Sequence, residues 1–144
     1  MRGIKLKAAL NLIEYGLEEA EKQNSAPLTL VVLDNGGHIK ASASQDNSGT
    51  ARFDIAKGKA AAALGLGFGT RQFYNLVNKN VLPEMFATTI NGATGGNFIP
   101  LPGGVLILEA GEVIGAIGIS GASSDLDEFI AIKAIERLGL SASA

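Results

Sequence analysis

Between the apolar, β-branched residues 28–33 and the alternating residues 38–44 stands Asp34-Asn35-Gly36-Gly37. Asparagine and glycine adopt positive φ at little steric cost, so this tetrapeptide turns the chain back on itself as a hairpin. Ala110-Gly111 does the same between strands expected at 105–108 and 113–119. Two such hairpins commit the chain to antiparallel pairing, because parallel neighbours need a long crossover. Helices on either side must then pack on one sheet, which makes the fold class α/β in the α+β sense.

The helical segments follow from periodicity. Leu6, Leu10, Ile13, Leu17 and Ala20 recur at steps of four and three and mark a helix over about residues 3–23, ended by Asn24, Ser25 and Pro27. Alanine-rich residues 51–64 place Phe53, Ala56, Ala60, Ala63 and Leu64 on one helical face, and Gly65, Gly67 and Gly69 break it. Thr70 is expected to cap a short third helix reaching about residue 78. Residues 83–97, with Asn91-Gly92 and Gly95-Gly96-Asn97, read as a long ordered loop, and 98–99 as a short strand. Ser124 with Asp127, or Asp125 with Glu128, has capping-box spacing and opens a last helix buried through Ile130, Ala134, Ile135 and Leu138. Residues 141–144 read as a fraying tail, and the whole chain, 1–144, as one domain.

Composition narrows the partners. The net charge is -2, from 12 basic and 14 acidic side chains that are scattered rather than clustered, so nothing favours nucleic acid. No run of about 18 apolar residues exists to span a membrane. With no cysteine there is no disulfide and no thiolate nucleophile, which fits a cytoplasmic location. A mean hydropathy of +0.25 with 18% charged residues is apolar for a small monomer, and a homo-oligomer is expected.

The sequence excludes several chemistries. Gly65-Leu66-Gly67-Phe68-Gly69 is not a dinucleotide fingerprint and follows a helix, and no phosphate-binding P-loop occurs. Gly118-Ile119-Ser120-Gly121-Ala122 lacks the last glycine of a nucleophile elbow, and a serine triad would have to use the single histidine, His38.

What remains is a set of residues with two readings each. His38, after Gly37, is either an axial haem ligand or proton carrier, or a strand histidine bonded to its own turn. One histidine is a poor dedicated metal site, so no metal is expected unless His38 meets haem iron. Arg52, Lys57 and Lys59 on the alanine-rich helix form either a carboxylate clamp or a solvated face, and Lys59, among alanines, has the more buried stem. Gly103, Gly104, Gly115, Gly118 and Gly121 admit either a ligand or a closely packed backbone. Asp125, Asp127 and Glu128 offer hard oxygen ligands or complement a helix dipole.

Read together, Val31-Val32-Leu33-Asp34-Asn35-Gly36-Gly37-His38, Asp54-Ile55-Ala56-Lys57-Gly58-Lys59-Ala60, Pro102-Gly103-Gly104-Val105 and 111–121, with Asp127-Glu128 opening the last helix, resemble the GlcG/HbpS-like family, which includes the C-terminal domain of PduO. The resemblance implies a profilin-like antiparallel sheet of about five strands flanked by helices, assembled into higher oligomers, often octamers. It also implies either haem binding, or cofactor-free isomerase or tautomerase chemistry on unsaturated acids. Leu106 departs from the pattern, which has proline after Gly-Gly-Val.

Two functions fit these residues. In the first, an oligomeric protein holds a planar or acidic small molecule, haem among the candidates, through His38, Gly37, Arg52, Lys59, Gly103, Gly104, Ser120 and Asp125. In the second, no cofactor is required: Arg52 anchors a substrate carboxylate while Lys59 or Glu128 moves the proton after a burial-driven pKa shift. A structural oligomer with no ligand is the third reading. The first two place the helix-borne cations and the imidazole around one cavity.

Overall fold

The computed structural model describes residues 3–144. The elements are α1 (Leu6–Lys22), β1 (Thr29–Asp34), β2 (Ile39–Ser44), α2 (Arg52–Leu66), α3 (Thr70–Asn78), α4 (Glu84–Ala93), β3 (Gly104–Glu109), β4 (Glu112–Ser120), α5 (Ser124–Arg137) and β5 (Ser141–Ser143). The five strands form one antiparallel sheet in the order β2-β1-β4-β3-β5, as an α+β fold.

Both hairpin turns form where glycine and asparagine call for them. In the first, Asp34 N donates to His38 O at 2.9 Å and Gly37 takes φ +84°. In the second, Ala110 and Gly111 both sit at positive φ, as a two-residue hairpin requires.

Alternation along β1 divides the interior. Leu30 and Val32 face α1 and α5, in a core with Leu12, Ile107, Ile117, Ile119 and Ile130. Val31 and Leu33 face α2, with Ala56, Ala60, Leu106 and Ala116. A smaller cluster of Ala62, Phe73 and Phe98 lies beneath α3 and α4.

The glycines of β3 and β4 serve this layering. A Cβ at Gly118 would lie 1.8 Å from Ala56 O, and one at Gly104 would lie 2.2 Å from Lys59 O. The backbone of α2 therefore rests directly on the sheet, and only glycine fits beneath it.

Four expectations are corrected. Residues 84–93 are helical, not loop: Pro83 and Glu84 start α4, and Phe86 packs edge-on against Phe73 at 6.4 Å between centroids. Residues 98–99 form no strand, since Phe98 packs edge-on against Phe73 and Ile99 sits against Gly58. The fifth strand is instead the tail, where Ser141 and Ala142 pair with Leu108 and Ile107. The buried face of α1 is Ala9, Leu12, Ile13, Gly16 and Ala20, leaving Leu6 and Leu10 about half exposed. That rotation brings the bare Gly16 against Leu30, where a Cβ would lie 2.5 Å from the leucine.

Candidate functional site

The two ends of the sheet carry different chemistry. At one end lie both hairpin turns, the start of α1 and the end of α5. At the other lie Thr29 and Ser120, paired across β1 and β4, and the start of α5. Thr29 and Asp34 are five strand steps apart, about 17 Å.

Lys59 and Asp127 define the Ser120 end. Lys59 is 2% exposed and Asp127 1%. Lys59 Nζ donates to Ile119 O at 2.8 Å and to Asp127 Oδ2 at 3.1 Å. Asp127 Oδ1 accepts from Ala122 N at 3.0 Å. Burial pushes the Lys59 ammonium below its ordinary value, and the Asp127 charge offsets this only in part. Burial likewise pushes the Asp127 carboxyl up against the pull of Lys59. Gly103, at φ +124°, makes room for the lysine, since a Cβ there would lie 2.9 Å from Nζ. Beside them, Arg52 Nη1 donates to Ser120 Oγ at 3.2 Å.

Arg71 forms a second cluster by clamping α5. Its Nε donates to Glu128 Oε2 at 3.1 Å, and its Nη2 donates to Asp125. Neither Asp125 nor Ser124 caps the helix: Ser123 Oγ accepts from Leu126 N at 3.1 Å, which frees Asp127 for Lys59. Thr70 is no cap either. Its hydroxyl accepts from Gly104 N at 2.8 Å and ties α3 to β3.

His38 stands at the far end of the sheet. Its Nδ1 lies 3.2 Å from Asp34 Oδ1, and the same oxygen accepts from Gly36 N and His38 N, each at 2.9 Å. Burial acts to raise the Asp34 carboxyl, but the hydrogen bonds from His38 and Gly36 outweigh it and hold the group below its ordinary value. The imidazole is 80% exposed.

The chain thus gathers Arg52, Lys59, Gly103, Gly104 and Ser120 at one end, brings Asp125 and Glu128 together on Arg71 nearby, and leaves His38 and Gly37 apart. Among the described residues no cavity is shared by the imidazole and the cations of α2. Sequence reasoning missed Asp127 as the partner of Lys59 and Arg71 as the partner of Asp125 and Glu128. The signal for Asp127 was present: a lysine among buried alanines requires a carboxylate.

Two clefts bear on ligands. One, of about 430 Å³, opens at the turn end and is lined by Ile4, Ala8, Ile114, Leu138 and Leu140, with Gly3, Lys5 and Glu109. Another, of about 290 Å³, lies over Arg71, Tyr74 and Asp125. A larger hollow of about 570 Å³ is lined by Glu14, Glu18, Glu21 and Asp46, more open and more acidic than an organic acid would suit. None of these is lined by Lys59 or Arg52. Among the described residues no group of three or more metal-ligating side chains occurs, and no helix is long and apolar enough to cross a membrane.

Comparison with known proteins bears on the family and the fold. The family described as haem degrading protein HbpS-like matches residues 4–136. The chain belongs to the HbpS-like family. Protein GlcG of Escherichia coli strain K12 is 33% identical over 110 residues, 76% of this chain and 75% of that protein. The crystal structure of HbpS superposes with a TM-score of 0.82 at 25% identity, covering 96% of this chain and 92% of the other. A crystal structure of a PduOC–haem complex superposes with a TM-score of 0.86 at 20% identity, covering 99% of both chains.

Proposed function

We propose that this HbpS-like chain is a haem-binding protein in which His38 Nε2 ligates the iron. The observation that carries the reading is the Asp34–His38 pair. Asp34 is held anionic and fixed by two backbone N–H groups, so it accepts a hydrogen bond from Nδ1–H, which keeps the proton on Nδ1 and leaves the Nε2 lone pair free for a ligand. Histidines that bind metal generally have such a partner behind them, which sets the ring and strengthens the donor. The ring itself is open to an incoming ligand. Haem, once bound, would supply an iron centre for ligand or redox chemistry, and His38, the one histidine of the sequence, would hold that iron.

The family's description and the PduOC–haem complex support the same ligand. The isomerase alternative has no such support, because the amine of Lys59 is enclosed and already engaged by Ile119 O and Asp127. These contacts suit Lys59 to holding the end of the sheet together. A homo-oligomer is part of the proposal, since Met85, Val81, Leu6 and Leu10 leave much apolar surface uncovered in one chain.

Titration with haemin tests the reading. A Soret band of imidazole-ligated haem is expected at one haem per chain, and His38→Ala should abolish that signature. An unchanged spectrum in His38→Ala overturns it.

A further inference from the structure

We infer that the cleft at the turn end is the seat of a planar, acid-bearing macrocycle, with Lys5 as its carboxylate anchor. This rests on the haem reading for the identity of the ligand, but on separate residues for the place.

The cleft exists because α1 begins at Leu6 and α5 ends at Arg137, so neither helix covers the sheet above Ile114. Its walls are the side chains of Ile4, Ala8, Ile114, Leu138 and Leu140. At about 430 Å³ it lies within the range of small-molecule sites, which pair apolar walls with a few polar groups. Lys5, the residue preceding α1, is exposed at its rim. Lys5 is the one cation among the lining residues and Glu109 the one carboxylate, so a ligand acid is directed toward Lys5 and away from Glu109, and the apolar ring is left to the walls.

The cleft is next to the histidine. Gly3, one of its lining residues, stands against the first hairpin turn. A side chain at Gly3 would lie 3.0 Å from Asn35 Oδ1 and 3.6 Å from Asp34 Cβ. Asp34 in turn holds His38. The imidazole, the apolar walls and the cation thus occupy one end of the sheet, in contrast to Arg52 and Lys59 at the other. A flat ligand with an apolar ring system and a carboxylate on its edge matches that order of groups.

Two probes separate the seat from the iron ligand. Metal-free protoporphyrin IX reads the cleft without His38, and haemin reads both. Binding of protoporphyrin IX, followed by its fluorescence, is expected in the unaltered protein and in His38→Ala alike. Ala8→Trp, which fills the cleft, should weaken it at least about tenfold, a change of 1.4 kcal/mol. Lys5→Glu, on the surface, should weaken it about fivefold and more at low salt. Circular dichroism checks that Ala8→Trp is folded, and if it is not, Lys5→Glu decides alone. Protoporphyrin IX binding that these variants leave intact, or that is absent from the unaltered protein, overturns the seat whatever haemin does. A haemin spectrum indifferent to His38→Ala overturns the ligation and leaves the seat standing.

Discussion

Asp127→Asn removes one charge from the interior and little volume, and its cost can be worked from the structure. The amide oxygen can still accept from Ala122 N, so the change isolates the loss of the Lys59 counter-ion. Lys59 is then a cation at 2% exposure with only Ile119 O to accept from it. Breaking a buried pair from one side typically costs about 3–5 kcal/mol. An upper bound comes from neutralising the amine. Its ordinary value is 10.5, so at pH 7 deprotonation costs about 4.8 kcal/mol, at 1.36 kcal/mol per unit.

The sign of the pH dependence follows. Folding depresses the lysine, so the penalty is full only below its folded value and fades as pH rises toward the unfolded one. Urea denaturation of Asp127→Asn and its parent should show a gap of about 4 kcal/mol at pH 7, shrinking to about 1 kcal/mol by pH 10. The melting temperature should fall by roughly 10 °C at neutral pH. Lys59→Met combined with Asp127→Leu should recover most of the loss, because no lone charge remains. A gap under about 1 kcal/mol at pH 7, or one that does not change with pH, refutes the reasoning.

Other outcomes follow from the same geometry. Asp34→Ala loses the acceptor for Gly36 N, His38 N and the imidazole, and equilibrium unfolding should register about 1–3 kcal/mol. Because folding lowers the Asp34 carboxyl, its contribution is present above the ordinary value of 3.8 and lost as pH falls through the folded one. Acid titration of stability should therefore be shallower below pH 4 in Asp34→Asn. Gly118→Ala drives a Cβ to 1.8 Å from Ala56 O and should cost more than about 3 kcal/mol or prevent folding, as soluble yield and calorimetry would report. Gly92→Ala, inside α4 with open space around it, should instead stabilise the fold by about 0.5–1 kcal/mol of helix propensity, seen in calorimetry as a slightly raised melting temperature.

The hairpins, the antiparallel sheet and most of the helices were legible because their determinants are local. A glycine at positive φ or a run of β-branched residues acts within a few positions. What escaped depended on contacts distant in sequence. The period of α1 suggested Leu6 and Leu10 as core, but Gly16 against Leu30 decides which way that helix faces. Asn91-Gly92 argued for a loop, and the packing of Phe86 on Phe73 overrides it. Ser141 and Ala142 look like a tail until β3 offers an edge.

The candidate residues divide in the same way. Types and neighbourhoods could be read: a lysine with a buried stem, a histidine after a glycine turn. Pairings could not, since Lys59 meets Asp127 across 68 positions and Arg71 meets Glu128 across 57. Glycine spacing alone left open whether a ligand or a backbone approached, and the carbonyls of Ala56 and Lys59 account for Gly118 and Gly104.

Resonance Raman spectroscopy of the ferrous haem complex examines the iron–nitrogen bond itself. An iron–histidine stretch should appear in the unaltered protein, vanish in His38→Ala, and move to lower frequency in Asp34→Asn as the hydrogen bond to Nδ1 weakens. A stretch that survives His38→Ala, or no such band in the unaltered complex, contradicts ligation by this residue.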